Sequence, residues 1–500
     1  MIHNDLIPLM VGVPLAGAFL NALLGRKLKG VPDLLGILCT MGTLFLGFVM
    51  LRLVNAHHVL LFEVGNWPPP IGIAMVVDGL TVFMLLTVNL IAFLVVLYST
   101  NYMSRYTQKW QFYSLFMLML AGMNGVIVTG DIFNLFVYLE IAAVASYALV
   151  AFGTERQELE AAFKYAVMGS LGSMFVLLGV VWMYAHTSTL NMADMAMVLR
   201  DGGSGEIVLL ASVLFLVGFG LKAALVPFHA WLPDAHPSAP APISAMLSGV
   251  LIKALGVYAI CRLFYSVFGI TWELSTILLT LGTVSMCVGV LLALKQWDMK
   301  RLLAYSSISQ VGYIMIGIGI GTPLGILAAL FHLFNHSVFK SLLFLGSGAV
   351  EYATGTRDLR KMGGLARRMP LTAGTSMAGS MSLAGIPPFA GFWSKLLIVV
   401  AAVQAGLYGY AIIAIVASIL TLAYVMKMMR YGFLGNLPER LKGIKDVPAM
   451  MKLSMSLLAL ICIAGGLLLL PQVRELFLTD ASKTFKAGTE LAFRIMSEVR

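Results

Sequence analysis

Long apolar runs follow one another along almost the whole chain, separated by short segments that contain charged residues, glycine or proline. A helix of about twenty apolar residues is long enough to cross the hydrocarbon core of a bilayer. The pattern therefore predicts an all-α polytopic membrane protein with about 14 transmembrane helices. The predicted spans are 6–24, 32–53, 73–100, 112–130, 131–152, 161–186, 207–228, 240–266, 274–296, 301–321, 323–350, 371–403, 407–430 and 448–471.

Composition indicates the same class of protein. Of the 500 residues, 60% are hydrophobic and only 11% are charged, and the mean hydropathy is +0.92. These values exclude an ordinary soluble domain. The four cysteines lie inside apolar spans without CxxC spacing, so we interpret them as small core residues and expect neither a metal site nor a disulfide framework.

Lysine and arginine are distributed unequally between the two sides of the membrane that this count of spans predicts. One side has twenty of them, namely Arg26, Lys27, Lys29, Arg105, Lys109, Arg156, Lys295, Lys300, Arg301, Arg357, Arg360, Lys361, Arg367, Arg368, Lys427, Arg430, Arg440, Lys442, Lys445 and Lys452. The other side has only Arg52, Arg200 and Arg262 before the C-terminal tail. Because short cytoplasmic loops are enriched in these residues, we expect a multi-pass protein of the cell (inner) membrane with both termini outside the cytoplasm. A basic rim beside anionic lipid explains the net charge of +10 without a nucleic-acid partner.

The two ends of the chain carry different signals. No basic segment precedes the first apolar run, so the first helix is expected to be retained rather than cleaved as a signal peptide. The tail after Pro471 has too few apolar residues to span a bilayer. It predicts an amphipathic segment at the membrane surface or on a partner subunit, with a solvated tail as the alternative.

Two similar Pro-Phe segments interrupt predicted spans. They are Leu225-Val226-Pro227-Phe228-His229-Ala230-Trp231 in the seventh span and Ile386-Pro387-Pro388-Phe389-Ala390-Gly391-Phe392-Trp393 in the twelfth. Proline removes a backbone donor and clashes with the preceding turn, and the freed carbonyls are tolerated at membrane depth only beside water or polar protein. Each segment also lies near a lysine, so we predict two broken helices that line a path; a simple proline kink is the alternative.

The spacing of these breaks predicts an internal repeat. They lie five spans apart, and an odd number of spans inverts the second unit relative to the first, as in many transporters. The expected units are three helices in 1–110, a first inverted five-helix repeat in 111–266, a second in 274–434, and the last helix with the amphipathic tail in 435–500.

Ionisable residues occur inside several predicted spans. They are Glu140, Lys164, Lys222, Lys253, Lys340 and Lys395. Such residues are costly in hydrocarbon and usually mark ion or proton routes. Glu140 lies near the middle of the fifth span, where Lys222 or Lys253 is its expected partner. A buried carboxylate beside a buried lysine can exchange protons, although a static ion pair is the alternative.

Two histidines are also candidates for proton transfer. His332 and His336 are one helical turn apart and share a face of the eleventh span. Histidine titrates near neutral pH and can relay protons. Zinc is disfavoured because no HExxH glutamate and no third ligand lie nearby. A haem would need a facing histidine on another helix, and a hydrogen-bonded core histidine remains an alternative.

The weaker candidates for the same path are Lys164, His229, Asp234, His236 and Lys340. Lys164 follows the segment 154–157, which resembles a capping box, and is expected to reach toward the cytoplasmic rim. Asp234 and His236 are expected at the cytoplasmic mouth beyond the seventh span, where they would admit protons. Turn chemistry explains Pro-Asp and His-Pro equally well.

Four longer segments are similar to a known family. They are GDIFNLFVYLE at 130–140, KAALVPFHAWLPDAH at 222–236, KRLLAYSSISQ at 300–310 and GIPPFAGFWSK at 385–395. Together they resemble the antiporter-like subunits of respiratory complex I, membrane-bound hydrogenases and Mrp-type sodium/proton antiporters. The resemblance covers about residues 70–435.

The resemblance implies roles for the buried residues. Glu140 and Lys222 would form the first half-channel, Lys253 the link, His332 and His336 the central relay, and Lys395 the end of the second half-channel. Lysine at 395, where M-type subunits of complex I typically carry glutamate, favours the D-type subunit of an Mrp-type antiporter or its counterpart in a membrane-bound hydrogenase. The length of the chain and the lack of a long lateral helix point the same way.

Such a subunit would work with other membrane subunits, and no cofactor or metal is implied in this chain. The chain itself is expected to be a transport subunit, either in an antiporter or in a redox-driven translocase. A stand-alone solute transporter and a haem- or quinone-binding redox subunit are the competing classes. Lysine and histidine carry protons whereas sodium requires oxygen ligands, so sodium transport stays open.

Overall fold

The computed structural model describes residues 2–202 and 205–490, and helices make up most of it. The first half contains α1 (Leu9–Leu24), α2 (Val31–His57), α3 (Gly79–Tyr102), α4 (Lys109–Val128), α5 (Ile132–Val150), α6 (Arg156–Thr187), α7 (Met192–Gly202), α8 (Glu206–Lys222), α9 (Leu232–Ser238), α10 (Ala241–Met246) and α11 (Ala259–Ser266). The second half contains α12 (Trp272–Lys295), α13 (Met299–Ile320), α14 (Pro323–Thr354), α15 (Pro370–Ala384), α16 (Ala390–Gln404), α17 (Tyr408–Gly432), α18 (Ala449–Ala464), α19 (Pro471–Arg474) and α20 (Asp480–Ala487).

Eleven helical segments are long and apolar enough to cross a membrane, counted over the described residues. They are α2, α3 with the turn after it, α4, α5, α6, the continuous segment Ala241–Ser266, α12, α13, α14, α17, and α18 with the turn after it. Large apolar side chains such as Phe45, Phe163 and Ile412 point outward from these helices. Lipid accommodates such a surface, whereas water would not. The predicted class, a mostly helical polytopic membrane protein, is confirmed.

A small sheet departs from the all-α prediction. Its strands are β1 (Ile2–His3), β2 (Leu60–Glu63) and β3 (Ala74–Val77), in the order β1-β2-β3, with β1 parallel and β3 antiparallel to β2. The third strand occupies the start of predicted span 73–100. The helix begins only at Gly79 because the Asp78 carboxylate caps it, accepting a hydrogen bond from the Thr81 amide at 2.9 Å.

Contacts between loops fall into two groups at opposite ends of the helices. At one end, Asp33 contacts Lys109 (2.9 Å), Asp298 contacts Arg357 (3.1 Å), and Asp446 contacts Thr372 (2.6 Å). At the other end, Met75 pairs with Thr129, Asp131 pairs with Asn191, and Asp78 contacts Arg262 (2.6 Å). We call the first end the basic face, because the loops that the charge pattern groups together meet there, and the second end the opposite face.

Both predicted interruptions occur. α8 ends at Lys222, the backbone takes a left-handed conformation at Ala224 (φ 56°), and a short turn and α9 follow Pro227. α15 ends at Ala384, and Gly385 (φ 78°) turns the chain before α16 begins.

The helical structure of the seventh predicted span, 207–228, does not end at the interruption. After the interruption the chain becomes helical again through α9, so the helical segment continues to Ser238. Pro233 lies in the first turn of α9, where its missing N–H costs no helical hydrogen bond. A proline-rich segment that looks like a loop in sequence is therefore the second half of a broken helix.

The segment after Pro471 packs on this chain itself, as far as residue 490. The Phe477 ring lies 5.2 Å from the Phe83 ring and 5.6 Å from the Phe334 ring, and Phe485 lies 4.3 Å from Tyr265. Some of its apolar side chains therefore fill a groove between α3, α11 and α14, which the sequence did not indicate. The expected contact with the membrane surface or a partner stays a prediction. Residues 491–500, with Leu491, Phe493 and Ile495, lie outside the described residues.

Candidate functional site

Glu140 and Lys222 form an ion pair between α5 and α8. The Lys222 ammonium lies 3.7 Å from a Glu140 carboxylate oxygen, and the lysine is only 4% exposed. The same ammonium donates to the Tyr147 hydroxyl at 3.4 Å, and the Ser173 hydroxyl of α6 donates to the Glu140 carboxylate. The structure thus places Lys222, and not Lys253, beside Glu140.

The depth of Glu140 follows from the cap of its helix. The Asp131 carboxylate accepts a hydrogen bond from the Asn134 amide at 2.7 Å, which starts α5 at Ile132. Glu140 is eight residues further on, about 12 Å along the axis at the rise of an α-helix. The carboxylate therefore lies near the middle of a 19-residue helix.

Lys253 is fully buried and begins the second of two π-helical turns, Leu247–Leu251 and Lys253–Tyr258. Its ammonium donates to the carbonyl of Ser248 at 2.6 Å and to the carbonyl of Gly249. A π-turn shifts the helical hydrogen bonds by one residue and makes backbone groups available for other partners. The lysine is therefore held by carbonyls of its own helix.

Lys340 on α14 is also fully buried. Its ammonium donates to the Leu303 carbonyl at 2.8 Å and to the Ser306 hydroxyl, both on α13. The neighbouring Ser307 hydroxyl shares a hydrogen bond of 2.7 Å with the Ser248 hydroxyl. Adjacent hydroxyls of α13 thus connect the surroundings of Lys340 with those of Lys253.

His332 and His336 lie in line on α14 with ring centroids 6.3 Å apart. The Nδ1 atom of His332 is 2.9 Å from the Ser394 hydroxyl, next to Lys395. The Nε2 atom of His332 and both ring nitrogens of His336 have no hydrogen-bond partner among the described residues. Both rings are fully buried, so these atoms face the protein interior.

Lys395 lies in the second turn of α16, the helix that follows the second break. Its ammonium donates to the Leu383 carbonyl at 2.8 Å and to the Ser418 hydroxyl at 3.4 Å. The ammonium also lies 5.0 Å from the centre of the Tyr313 ring. A cavity of about 330 Å³ includes Lys395, Tyr313 and Ser418 in its lining. The break therefore supplies both a free carbonyl and space beside the lysine.

The weaker candidates divide between surface and interior. Lys164 is 48% exposed and contacts Glu160 (2.8 Å) and Asp234 (3.3 Å) at the basic face. The capping box of α6 is formed by Glu155 and Glu158 rather than by 154–157, because Thr154 has a positive φ of 62° and precedes the cap. His229 lies beside the first break, where its Nδ1 atom has no partner among the described residues.

His236 is not at the cytoplasmic mouth, contrary to expectation. It is fully buried, with its ring 4.5 Å from the Phe344 ring, whereas Asp234 reaches the surface and contacts Arg301 at 3.4 Å. Residues two apart on a helix point in opposite directions. The refolding of the chain into α9 therefore separates the two side chains.

The charge pattern assigns Lys300 to the basic side, and the structure places it at that end of the helices but inside the protein. Lys300 is 2% exposed, and its ammonium lies 2.9 Å from a carboxylate oxygen of Glu351. A signal was present in the sequence, because Lys300, Leu303, Ser307 and Gln310 recur at helical spacing and share one face of α13. Gln310 on this face is also fully buried, and its side-chain amide has no partner among residues 2–202 and 205–490.

Comparison with known proteins places these residues within a family. Residues 129–421 match the family model described as NADH:quinone oxidoreductase/Mrp antiporter, and residues 62–113 match the model described as NADH-Ubiquinone oxidoreductase (complex I), chain 5 N-terminus. The first match covers more than half of the chain and includes all six residues from Glu140 to Lys395 to which the sequence assigns proton transfer.

Similar proteins include components of both antiporters and oxidoreductases. The D-type subunit of the Na(+)/H(+) antiporter of Alkalihalophilus pseudofirmus is 36% identical over 87% of this chain and 88% of its own. The N-type subunit of the NADH-quinone oxidoreductase of Desulforudis audaxviator is 39% identical over 76% of each chain. A protein in the structure of the Mrp complex from Dietzia sp. DQ12-45-1b superimposes with a TM-score of 0.90 at 28% identity, covering 99% of both chains. The chain therefore belongs to the NADH:quinone oxidoreductase/Mrp antiporter family, as an antiporter-like membrane component of a multi-subunit complex.

Proposed function

We propose that this chain is the D-type subunit of an Mrp-type cation/proton antiporter and moves protons through two linked half-channels. The observation that carries the proposal is a series of ionisable side chains on helices from α5 to α16, all of them buried except the partly exposed Glu140. Its members are Glu140, Lys222, Lys253, His336, His332 and Lys395, with Lys340 beside the centre. A folded protein gains little stability from buried charges, so a row of this length is best explained by transport.

In the first half-channel, Lys222 controls the charge of Glu140. While Lys222 holds a proton, its ammonium compensates the carboxylate at 3.7 Å. When that proton moves on, an uncompensated carboxylate in a low dielectric takes up a new one. The Ser173 hydroxyl keeps the carboxylate oriented in both states.

The link between the halves uses Lys253 and the hydroxyls of α13. An ammonium held by carbonyls of a π-turn has several acceptors at similar distance, and Lys253 contacts two of them. The Ser248–Ser307 hydrogen bond of 2.7 Å lies beside this lysine and leads to Ser306 and Lys340. Positive charge that reaches Lys253 repels a proton held by His336 or Lys340.

The second half-channel runs from the histidines to Lys395. His332 contacts the Ser394 hydroxyl at 2.9 Å, and the next residue is the lysine of the second break. Lys395 faces the cavity of about 330 Å³ and is the proposed outlet. His229, Asp234, His236 and Lys164 belong to the proposed supply from the basic face.

The proposed architecture has fourteen crossings. The eleven long segments, α1, and the two broken helices formed by α8 with α9 and by α15 with α16 sum to fourteen. The two breaks divide the chain into two five-helix units, 111–266 and 274–434, that we propose to be inverted repeats. Both termini then lie on the opposite face, which the charge pattern assigns to the outside of the cell membrane.

Glu140 also indicates where a partner subunit binds. Its side chain is 30% exposed on the lateral surface, at a depth where lipid would leave a carboxylate uncompensated. A neighbouring membrane protein that covers α5 and α6 would remove this exposure. Assembly in a multi-subunit complex therefore completes the first half-channel.

The second candidate is the equivalent proton-pumping subunit of a redox-driven complex, favoured by the 39% identity with the NADH-quinone oxidoreductase component named above. Measurements on vesicles that contain the complete complex distinguish an antiporter subunit from a subunit of a redox-driven pump. Sodium chloride added to energised vesicles should collapse the pH gradient without any electron donor if the chain belongs to an antiporter. Proton movement that requires NADH, hydrogen or another donor, with no response to sodium, would establish the redox alternative. Vesicles with Lys395→Ala serve as the control for leakage.

A further inference from the structure

We propose that Lys300 and Glu351 form the entrance through which protons pass from the basic face to His236. This inference rests on the proposed function and assigns proton transfer to two residues that the half-channels above leave unused. Three helix ends meet at this point, those of α9, α13 and α14. The Lys300 ammonium lies 2.9 Å from Glu351 and donates to the Ala239 carbonyl at 3.1 Å.

On its outer side the pair is connected to solvent. Glu351 is one-quarter exposed, and its second carboxylate oxygen lies 3.3 Å from the Arg357 guanidinium. Arg357 contacts Asp298 at 3.1 Å, and these two residues help to line a cavity of about 390 Å³ on the basic face. Lys164 and Arg301 at the cavity are nearly half exposed, so water reaches the carboxylate side of the pair.

On its inner side the pair faces His236. This ring is fully buried, and neither of its nitrogens has a hydrogen-bond partner in the described parts of the chain. Lys300 contacts the same chain segment, because its ammonium donates to the carbonyl of Ala239, three residues after His236. The charges of Lys253 and Lys340 also act on the ring. His236 thus lies within electrostatic range of both the surface pair and the central lysines.

The position of the two charges argues against a purely stabilising ion pair. Lys300 lies in the first turn of α13, where the helix dipole disfavours a cation, and Glu351 lies in the last turn of α14, where it disfavours an anion. Each charge is tolerated because the other neutralises it. Buried pairs of this kind are poor sources of stability, and opposite signs would suit both helix ends better.

The transfer conserves protons and restores the pair. Glu351 takes a proton from the cavity onto its carboxylate, which releases the Lys300 ammonium from its counter-charge. The released ammonium makes no hydrogen bond to His236 in this structure, so it first moves to a ring nitrogen of His236, then gives that nitrogen one proton and becomes a neutral amine. The Glu351 carboxyl returns its proton to that amine, so the net result is one proton moved from the cavity to His236.

Three variants in vesicles of the complete complex test the entrance. Glu351→Gln keeps the shape but cannot exchange a proton, and we expect proton exchange to fall about 100-fold at unchanged assembly. Lys300→Arg keeps the charge and the ion pair but does not release its proton, so it should be equally inactive. Glu439→Gln is the matched control, a carboxylate that is 86% exposed on the same face, and should leave the rate unchanged.

Lys300→Arg is decisive because a stabilising pair would tolerate it. Full proton exchange in Lys300→Arg would overturn the proposed entrance. This result would be sufficient even if the Glu351→Gln complex did not assemble. Normal exchange in Glu351→Gln would overturn it as well. These outcomes are separable from failure of the proposed function, because Glu140→Gln would still block exchange if only the entrance were wrong. Exchange that survives in Glu140→Gln would instead reject the half-channel proposal.

Discussion

The ammonium of Lys222, the last residue of α8, lies 3.7 Å from the carboxylate of Glu140 in the middle of α5. The helix ends here because the Pro-Phe segment follows, so the lysine sits beside interrupted backbone rather than inside a continuous helix. The pair therefore links Glu140, in the middle of α5, to the interruption that follows α8.

Replacing Glu140 with glutamine should abolish transport, since the amide keeps the shape and the hydrogen bond to Ser173 but cannot exchange a proton. We expect about a 100-fold loss of proton exchange, with normal assembly measured by co-purification of the partner subunits. Glu273→Gln, an exposed carboxylate at the start of α12, should behave like the unmodified protein. Near-normal exchange in Glu140→Gln would falsify its role.

Two substitutions of Lys395 should differ in effect. Lys395→Ala removes the proposed carrier and should stop transport. Lys395→Glu restores a titratable group beside Ser418 and Leu383, and should retain partial activity with a shifted pH optimum. The measurement is the exchange rate across a pH series at equal expression. Full activity of the alanine variant would remove Lys395 from the path, and equal loss in both would mean that a positive charge is required.

The cavity beside Lys395 should be hydrated. In a background without native cysteines, a cysteine at Ser418 should react with a small hydrophilic thiol reagent. A cysteine at Ile412 on the same helix is the matched control, because this position is 62% exposed and points into lipid. We expect faster labelling at 418 than at 412. Slower labelling at 418 would contradict a water-filled outlet.

Arg262 should stabilise the opposite face of the protein. Burial would raise the pKa of the Asp78 carboxyl, but the Arg262 guanidinium at 2.6 Å holds that pKa below its usual value. Arg262→Gln leaves a buried carboxylate without its partner and should lower the free energy of unfolding by about 3–5 kcal/mol. Thermal unfolding of the purified complex measures this effect. Removing both charges with Arg262→Leu and Asp78→Leu should destabilise less than Arg262→Gln alone, and the reverse order would contradict the argument.

The same pair has a predicted pH dependence. Because the folded protein lowers the pKa of Asp78, the stabilising effect is present above the ordinary carboxyl pKa of 3.8 and is lost as the pH falls through the lowered value. The stability difference between the unmodified protein and Arg262→Gln should therefore shrink in strong acid. If the stability difference stayed constant down to the strongly acidic pH at which Asp78 takes up a proton, the ion pair would be excluded as the cause of that difference.

The class of protein and the position of most helices can be predicted from the sequence, because a span needs a long apolar run and the runs are separated by polar or proline-containing segments. It also located both interruptions, since in each a proline, which lacks the backbone donor, lies beside a lysine in an otherwise apolar run. The depth of Glu140 followed from the start of its helix at Asp131 and the fixed rise per residue.

Which charged groups meet depends on the packing of the helices and cannot be predicted from the sequence. The distance along the chain from Glu140 is 82 residues to Lys222 and 113 to Lys253, and neither number indicates which lysine faces the carboxylate. That choice depends on how the helices rotate and pack against one another. Lys253 is turned to its own carbonyls by π-turns, which leave no pattern in the sequence that apolar periodicity would reveal.

Packing between distant parts of the chain also explains the burial of Lys300, the burial of His236 and the position of the tail. Lys300 adjoins the exposed Arg301 in sequence, and its burial results from contact with Glu351, 51 residues away. His236 is buried because α9 re-forms after Pro227 and packs against Phe344. The tail after Pro471 packs against α3, where Phe477 contacts Phe83, almost 400 residues earlier in the chain. Apolar patterns specify that a side chain is buried, but contacts between distant elements specify what it is buried against.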